Sequence, residues 1–211
     1  LGHYLNDQEW IDELLKGDIH WFNAQSFGLV AKGTVKDDSN PEHKTARNRT
    51  KTLTYGVLYG AGAAKAGSIV GGNSTHGKRL IDSFVNNTPG LAALKTKISK
   101  FAKKGHLPGL DGRRVWIRSE HAALNTLLQS AGAIIAKQWL IECDKALTEA
   151  NVPAKLMAWV HDEVQYETAP ENADTLKEIV EKAATKAGIV LQFRCPVDAE
   201  GKIGINWYET H

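Results

Sequence analysis

The chain has 211 residues, 42% hydrophobic and 24% charged, with 26 basic against 24 acidic side chains and a formal net charge of +2. That length suffices for one large domain or two small ones with a buried core, and two cysteines, Cys143 and Cys195, exclude a disulfide scaffold and suit a reducing compartment. No apolar run approaches the roughly 20 residues that span a bilayer and no signal peptide opens the sequence, so a soluble cytoplasmic protein with no membrane partner is expected.

In chain order, residues 8–16 read as a short amphipathic helix stopped by Gly17, and Asp18 can cap a second helix starting near Ile19. Residues 33–43, with Asn40-Pro41, carry turn chemistry and predict a loop. A helical pattern follows over residues 44–59 and ends at Gly60-Ala61-Gly62. Shorter helices are expected over residues 63–70, 77–86 and 89–104, and Asp111-Gly112 signals a hairpin turn between short flanks. Ser119 is a candidate N-cap for the longest helix, residues 121–150. The period then changes. Residues 156–160 and 164–167 alternate as two strands joined at His161-Asp162-Glu163. Pro170 and Gly188 bracket a further helix, and residues 189–197 predict another strand.

The small net charge conceals a strong asymmetry. Residues 41–118 hold 15 basic and 3 acidic side chains, a balance of +12, against −4 for residues 1–40 and −6 for residues 119–211. A basic middle third is the footprint of a polyanion partner, although the lysines of residues 95–104 are equally compatible with a solvated helix face. The order suggests a helical basic region followed by an acidic α+β region, with the boundary near Arg118.

Three constellations can carry chemistry. Arg47, Lys51, Tyr55 and Tyr59 recur every four residues along one slowly winding helix face, spanning about 18 Å. That is the reach of a nucleoside triphosphate, with a guanidinium fork and a mobile ammonium for the phosphates and two rings for the sugar and base. A surface helix with two core tyrosines fits the same spacing. His161-Asp162-Glu163, at the end of an apolar strand, can present a carboxylate to a hard cation such as Mg²⁺; a routine acidic turn is the alternative. His121, Asn125 and Gln129 lie at i, i+4 and i+8, where a polar stripe can face base edges in a minor groove or simply face water. The run Gly60-Ala61-Gly62-Ala63-Ala64-Lys65 follows a helix and lacks the third glycine of a dinucleotide loop, and no histidine spacing matches a zinc motif.

Taken in order, Gly17-Asp18-Ile19-His20, residues 47–62, Gly109-Leu110-Asp111-Gly112-Arg113, residues 118–133 and residues 158–165 resemble the motifs of DNA polymerase I-like (family A) DNA polymerases, particularly the replicative polymerases of T-odd-type bacteriophages. The resemblance covers nearly the whole chain. It implies an α+β fold: a helical fingers subdomain over residues 1–117, whose first five residues resemble the tail of the first palm motif, then half of an antiparallel-sheet palm with a long helix over residues 118–211.

The resemblance also implies roles. Arg47, Lys51, Tyr55 and Tyr59, with His20, match the helix and phosphate contact that bind the incoming deoxynucleoside triphosphate, and Lys51 matches a proton donor to the leaving pyrophosphate. Tyr55 stands where the Tyr form is associated with poor rejection of dideoxynucleotides. Asp162 matches a palm metal ligand, with Glu163 beside it and His161 near the primer terminus; Asn125 and Gln129 match minor-groove contacts to primer-template DNA, and His121 stands where many bacterial members have Arg. Two Mg²⁺ ions are implied, one shared with an aspartate that lies upstream in the family's order. Catalysis is therefore expected to need an N-terminal polymerase chain carrying the thumb and first palm motif. The stretch from about residue 28 to 44 is longer than usual and reads as a loop insertion. A single-subunit RNA polymerase shares the fingers helix and the His-Asp pair but is disfavoured by Gly17-Asp18-Ile19-His20 and by Glu163; a catalytically inactive DNA-binding module is the non-enzymatic alternative.

Overall fold

The computed structural model describes residues 1–210. The chain divides into two compact units, residues 1–107 with 114–128 and residues 108–113 with 129–211. The fold is α+β, helices with two two-stranded sheets. Among the described residues no helix is long and apolar enough to cross a membrane.

The first unit opens with α1 (Gly2–Leu5), α2 (Gln8–Lys16) and α3 (Ile19–Phe27). Asp7 and Asp18 cap the latter two by accepting backbone N–H groups, as aspartates do where the first turn has no internal acceptor. Helix α4 (Pro41–Leu58) starts three residues before the expected 44. Asn40-Pro41 is not a turn: Asn40 accepts from the Glu42 N–H at 2.9 Å, and Pro41 takes the first helical position, where a missing N–H costs nothing. Similarly Asn73 caps α6 (Ser74–Asn87) by accepting from His76, extending it upstream of the expected 77. Between them lies α5 (Ala63–Ile69), and α7 (Leu91–Ala102) follows.

Helices α3 and α6 are fastened by Phe27 and Phe84, whose rings stack at 4.2 Å and 5° and are essentially inaccessible. With Leu53 of α4, Leu91 and Ile98 of α7 and Trp10 of α2 they form one continuous core. Gly77 lets α6 approach α5 closely; a Cβ there would lie 1.9 Å from the Ala63 carbonyl oxygen. The strands β1 (His106–Pro108) and β2 (Arg114–Trp116) pair as a short hairpin, with Gly112 at φ +83° in its turn.

Helix α8 (Ala123–Glu149) begins in the first unit and continues into the second. It starts later than expected. The Ala122 and Ala123 N–H groups bond to the Ser119 and Glu120 carbonyls three residues back, so Ser119 closes a turn and His121 lies in that turn rather than on the helix.

In the second unit β3 (Ala154–Val160) and β4 (Glu163–Thr168) form an antiparallel hairpin with Val160 opposite Glu163. Only His161 and Asp162 form its loop, and Glu163 belongs to β4. A bulge at Met157 separates the Leu156–Tyr166 pair from the Ala158–Gln165 pair. After a 3₁₀ turn (Pro170–Asn172), α9 (Ala173–Val190) packs on α8, where Trp139 donates its indole N–H to the Val180 carbonyl at 2.8 Å. Two expectations fail in this region. Gly188 does not end α9; it is buried within it, and a Cβ there would meet Val197 at 2.9 Å. The expected strand over residues 189–197 does not form: Ile189 and Val190 complete α9, and residues 191–197 run on without strand pairing. The helix α10 (Trp207–Thr210) closes the described chain.

Candidate nucleotide and nucleic-acid interface

In the first unit the decisive question is which side of α4 faces inward. Thr50, Leu53, Thr54 and Leu58 are buried, at spacings that make one helical stripe. The other face carries Arg47, Lys51, Tyr55 and, one residue past the helix end, Tyr59. Tyr55 is 46% and Tyr59 51% exposed, so neither is a core tyrosine. Their ring centroids lie 6.2 Å apart, and the His20 ring on α3 stands 6.2 Å from Tyr55 at 61°. His20, Tyr55 and Tyr59 thus form a continuous run of rings beside two cations. At its far end, Gly60 (φ +89°) passes so close to His121 that a Cβ would lie 3.0 Å from Nε2. The fold therefore gathers six sequence-predicted residues, His20, Arg47, Lys51, Tyr55, Tyr59 and His121, around one helix.

Asp18 organises the cationic end. Its Oδ1 accepts the N–H groups of His20 and Trp21 at 3.2 Å each, while Oδ2 accepts from Arg47 Nε at 2.6 Å and meets Lys36 Nζ at 3.0 Å. Burial pushes its carboxyl pKa up, but the Arg47 and Lys36 bonds and the Trp21 N–H outweigh that and hold it at about 2. With Nε committed, the two terminal nitrogens of Arg47 form the fork available to a phosphate. His20 is pushed the other way: burial, then the positive charges of Arg47 and Lys51, lower its pKa against the opposing pull of Asp18. Both effects favour the neutral imidazole, and its Nδ1 is buried without a hydrogen-bond partner in the protein.

The longer segment between α3 and α4 is fastened down. Trp21 donates its indole N–H to the Thr34 carbonyl at 2.9 Å, Gln25 accepts from the Gly33 N–H at 2.6 Å, and His43 accepts from the Asp37 N–H at 3.0 Å. These ties deliver Lys36 to Asp18, with Asp38 as its second partner at 2.9 Å. The sequence gives Asp18 a capping role only and leaves Lys36 in a loop. No local signal reports either pairing, because Arg47 lies 29 residues from Asp18.

In the second unit the hairpin tip presents His161 and Asp162, both exposed, with His161 at φ +55°. Trp159 donates its indole N–H to the His161 carbonyl at 2.8 Å and braces the turn. Gln165 donates to Glu163, and Thr210 donates to the Gln165 side-chain oxygen at 3.1 Å, so Glu163 is held within the sheet's own network while Asp162 points outward from the tip. Among the described residues no group of three or more His, Cys, Asp or Glu stands together as a metal-binding cluster. Asn125 and Gln129 lie four positions apart on α8; Gln129 is exposed, and Asn125 Oδ1 is buried without a hydrogen-bond partner.

The first unit thus bears a ring-and-cation helix face, and the second an exposed aspartate on the turn between two strands. The family model for DNA polymerase family A matches residues 1–209, and the chain belongs to that family. It is 38% identical to the DNA-directed DNA polymerase of Enterobacteria phage T3 and to that of Escherichia phage T7, the match in each case covering all of this chain and 31% of the relative. It thus spans about a third of the length of these relatives. The polymerase domain of Pol1 from M. smegmatis, solved with DNA primer-template and dNTP, shares the fold at a TM-score of 0.74 and 24% identity, over 88% of this chain and 34% of that one.

Proposed function

We propose that this chain supplies the nucleotide-binding fingers (residues 1–117) and the C-terminal part of the palm (residues 118–211) of a template-directed DNA polymerase. The observation that carries this reading is the α4 face, where two half-exposed tyrosines continue a line of cations anchored by Asp18. Arg47 and Lys51 meet the triphosphate oxygens, with His20 as an additional hydrogen-bonding partner. Tyr55 and Tyr59 take the sugar and base. During transfer the primer 3′-hydroxyl loses its proton to water as its oxygen bonds to the α-phosphorus, the bond to the pyrophosphate oxygen breaks, and Lys51 donates a proton to that departing oxygen. Asn125 and Gln129 contact the minor groove of the primer-template, His121 lies beside them in sequence, and His161 contacts the primer end.

The donor set fits a hard divalent cation, since Asp162 offers an exposed carboxylate and Glu163 lies next to it. Asp162 would hold Mg²⁺, which when bound neutralises phosphate charge and promotes ionisation of the primer hydroxyl. Two-metal transfer uses at least two carboxylates, and the second is supplied by a polymerase segment that carries the first palm motif. Primer extension by this chain together with that segment tests the reading. Asp162→Ala should abolish extension, and Lys51→Ala should lower it by about 100-fold or more, the scale of general-acid catalysis. Extension at the wild-type rate by the Asp162→Ala protein would remove Asp162 from the metal site. Equal use of ribonucleotides would favour an RNA polymerase instead.

A further inference from the structure

The β1–β2 hairpin carries a feature that nucleotide binding does not use. Strand geometry sends Arg114 and Trp116 to one face and Val115 to the other, where it packs on the core. Trp116 is left 70% exposed. A solvent-facing indole is not unusual alone, but this one is braced. His106 on the opposing strand donates from Nδ1 to the Lys104 carbonyl at 3.1 Å, which fixes the imidazole, and its ring packs on Trp116 at 5.5 Å and 59°. The indole is thus braced by one neighbouring ring while most of it stays open to solvent.

The surroundings are cationic. Arg114 is exposed two residues before Trp116 and Arg118 two residues after it. Lys103 and Lys104 are exposed in the turn leading into β1, and Gly105, at φ +79°, holds that turn against Ile117 through a 3.1 Å backbone bond. A rigid aromatic ledge within a row of cations matches an unpaired strand: the charges track successive phosphates and the indole takes the face of a base. A duplex hides its base faces, and an acidic peptide offers none.

We propose that the β1–β2 hairpin binds single-stranded DNA, with one base stacked on Trp116 and its flanking phosphates on Arg114 and Arg118. The proposal goes beyond the nucleotide-binding reading and stands without it.

Fluorescence anisotropy of a labelled twelve-residue oligo(dT) with the full chain, without deoxynucleotides, tests it. Trp116→Ala should weaken binding about tenfold, the scale of one base–aromatic stack, and Trp116→Phe should stay within about threefold of wild type. An abasic strand of equal length should bind the wild-type protein about as weakly as oligo(dT) binds the Trp116→Ala protein. Arg114→Gln with Arg118→Gln should flatten the dependence of log affinity on log salt by about one to two. Because Trp116 lies on the surface, thermal melting should match wild type. Equal affinity for oligo(dT) and the abasic strand, or no loss in Trp116→Ala, would overturn the stacking role. Displacement of oligo(dT) by a poly-glutamate peptide of matching charge, as effective as by unlabelled oligo(dT), would overturn it in favour of a plain charge patch.

Discussion

Asp18 is where stability and the nucleotide end of α4 meet, and its substitution by Asn isolates one contribution. Asn retains a side-chain oxygen able to cap α3, so the change removes chiefly the charge that Arg47 and Lys36 share. In the folded protein the carboxyl titrates at about 2, against an ordinary 3.8. With each tenfold in proton affinity equal to about 1.4 kcal/mol, the linkage contributes roughly 2 kcal/mol at pH 7. The carboxylate is only 20% exposed, so little of this is lost to solvent screening. Because the folded pKa is depressed, the contribution is complete above about pH 5 and disappears as the pH falls through 3.8 towards 2. Urea unfolding of wild type and Asp18→Asn should therefore show a gap of roughly 2 kcal/mol at pH 7, near 4–8 °C in Tm for a chain of this size. The gap should close towards pH 2. A gap that is absent at pH 7, or that persists undiminished at pH 2, would refute the charge-linked anchoring of Arg47.

Two further outcomes follow from residues already described. Tyr55→Phe removes one exposed hydroxyl from the ring line, and competitive incorporation with the N-terminal segment present should show stronger rejection of dideoxynucleotides; unchanged selectivity would remove Tyr55 from the sugar contact. Phe84→Ala deletes a fully buried ring stacked on Phe27, and denaturant unfolding should show a loss of about 3–5 kcal/mol, as for large-to-small changes in packed cores.

Features encoded within a few residues were readable from sequence. Helix α2 occupies the expected residues 8–16, Asp18 caps α3, and the strand pair meets at His161-Asp162. Each rests on a local pattern of period, cap or turn. Asn40-Pro41 misleads because the same pair suits a turn and a helix start, and only the downstream packing of Thr50, Leu53 and Thr54 makes the helix win. The apolar stretch at residues 189–197 has strand-like composition, but α9 continues through Gly188 to Val190, and Val197 packs against that glycine. For the nucleotide end, four-residue spacing put Arg47, Lys51, Tyr55 and Tyr59 in line without deciding whether the tyrosines face the core. The Asp18–Arg47–Lys36 cluster was beyond reach, because its members converge only through the packing of α3 on α4 and the fastening of the segment between them.

The Trp159–His161 brace bears on how the hairpin tip could be transplanted. Its indole and the carbonyl it holds lie two residues apart on the same strand and turn, so the shape around Asp162 is written into a single short stretch. A graft of residues 154–168 into another antiparallel sheet should carry the turn geometry with it. The pairing beyond β3 and β4 can then vary between hosts while the aspartate keeps its local setting.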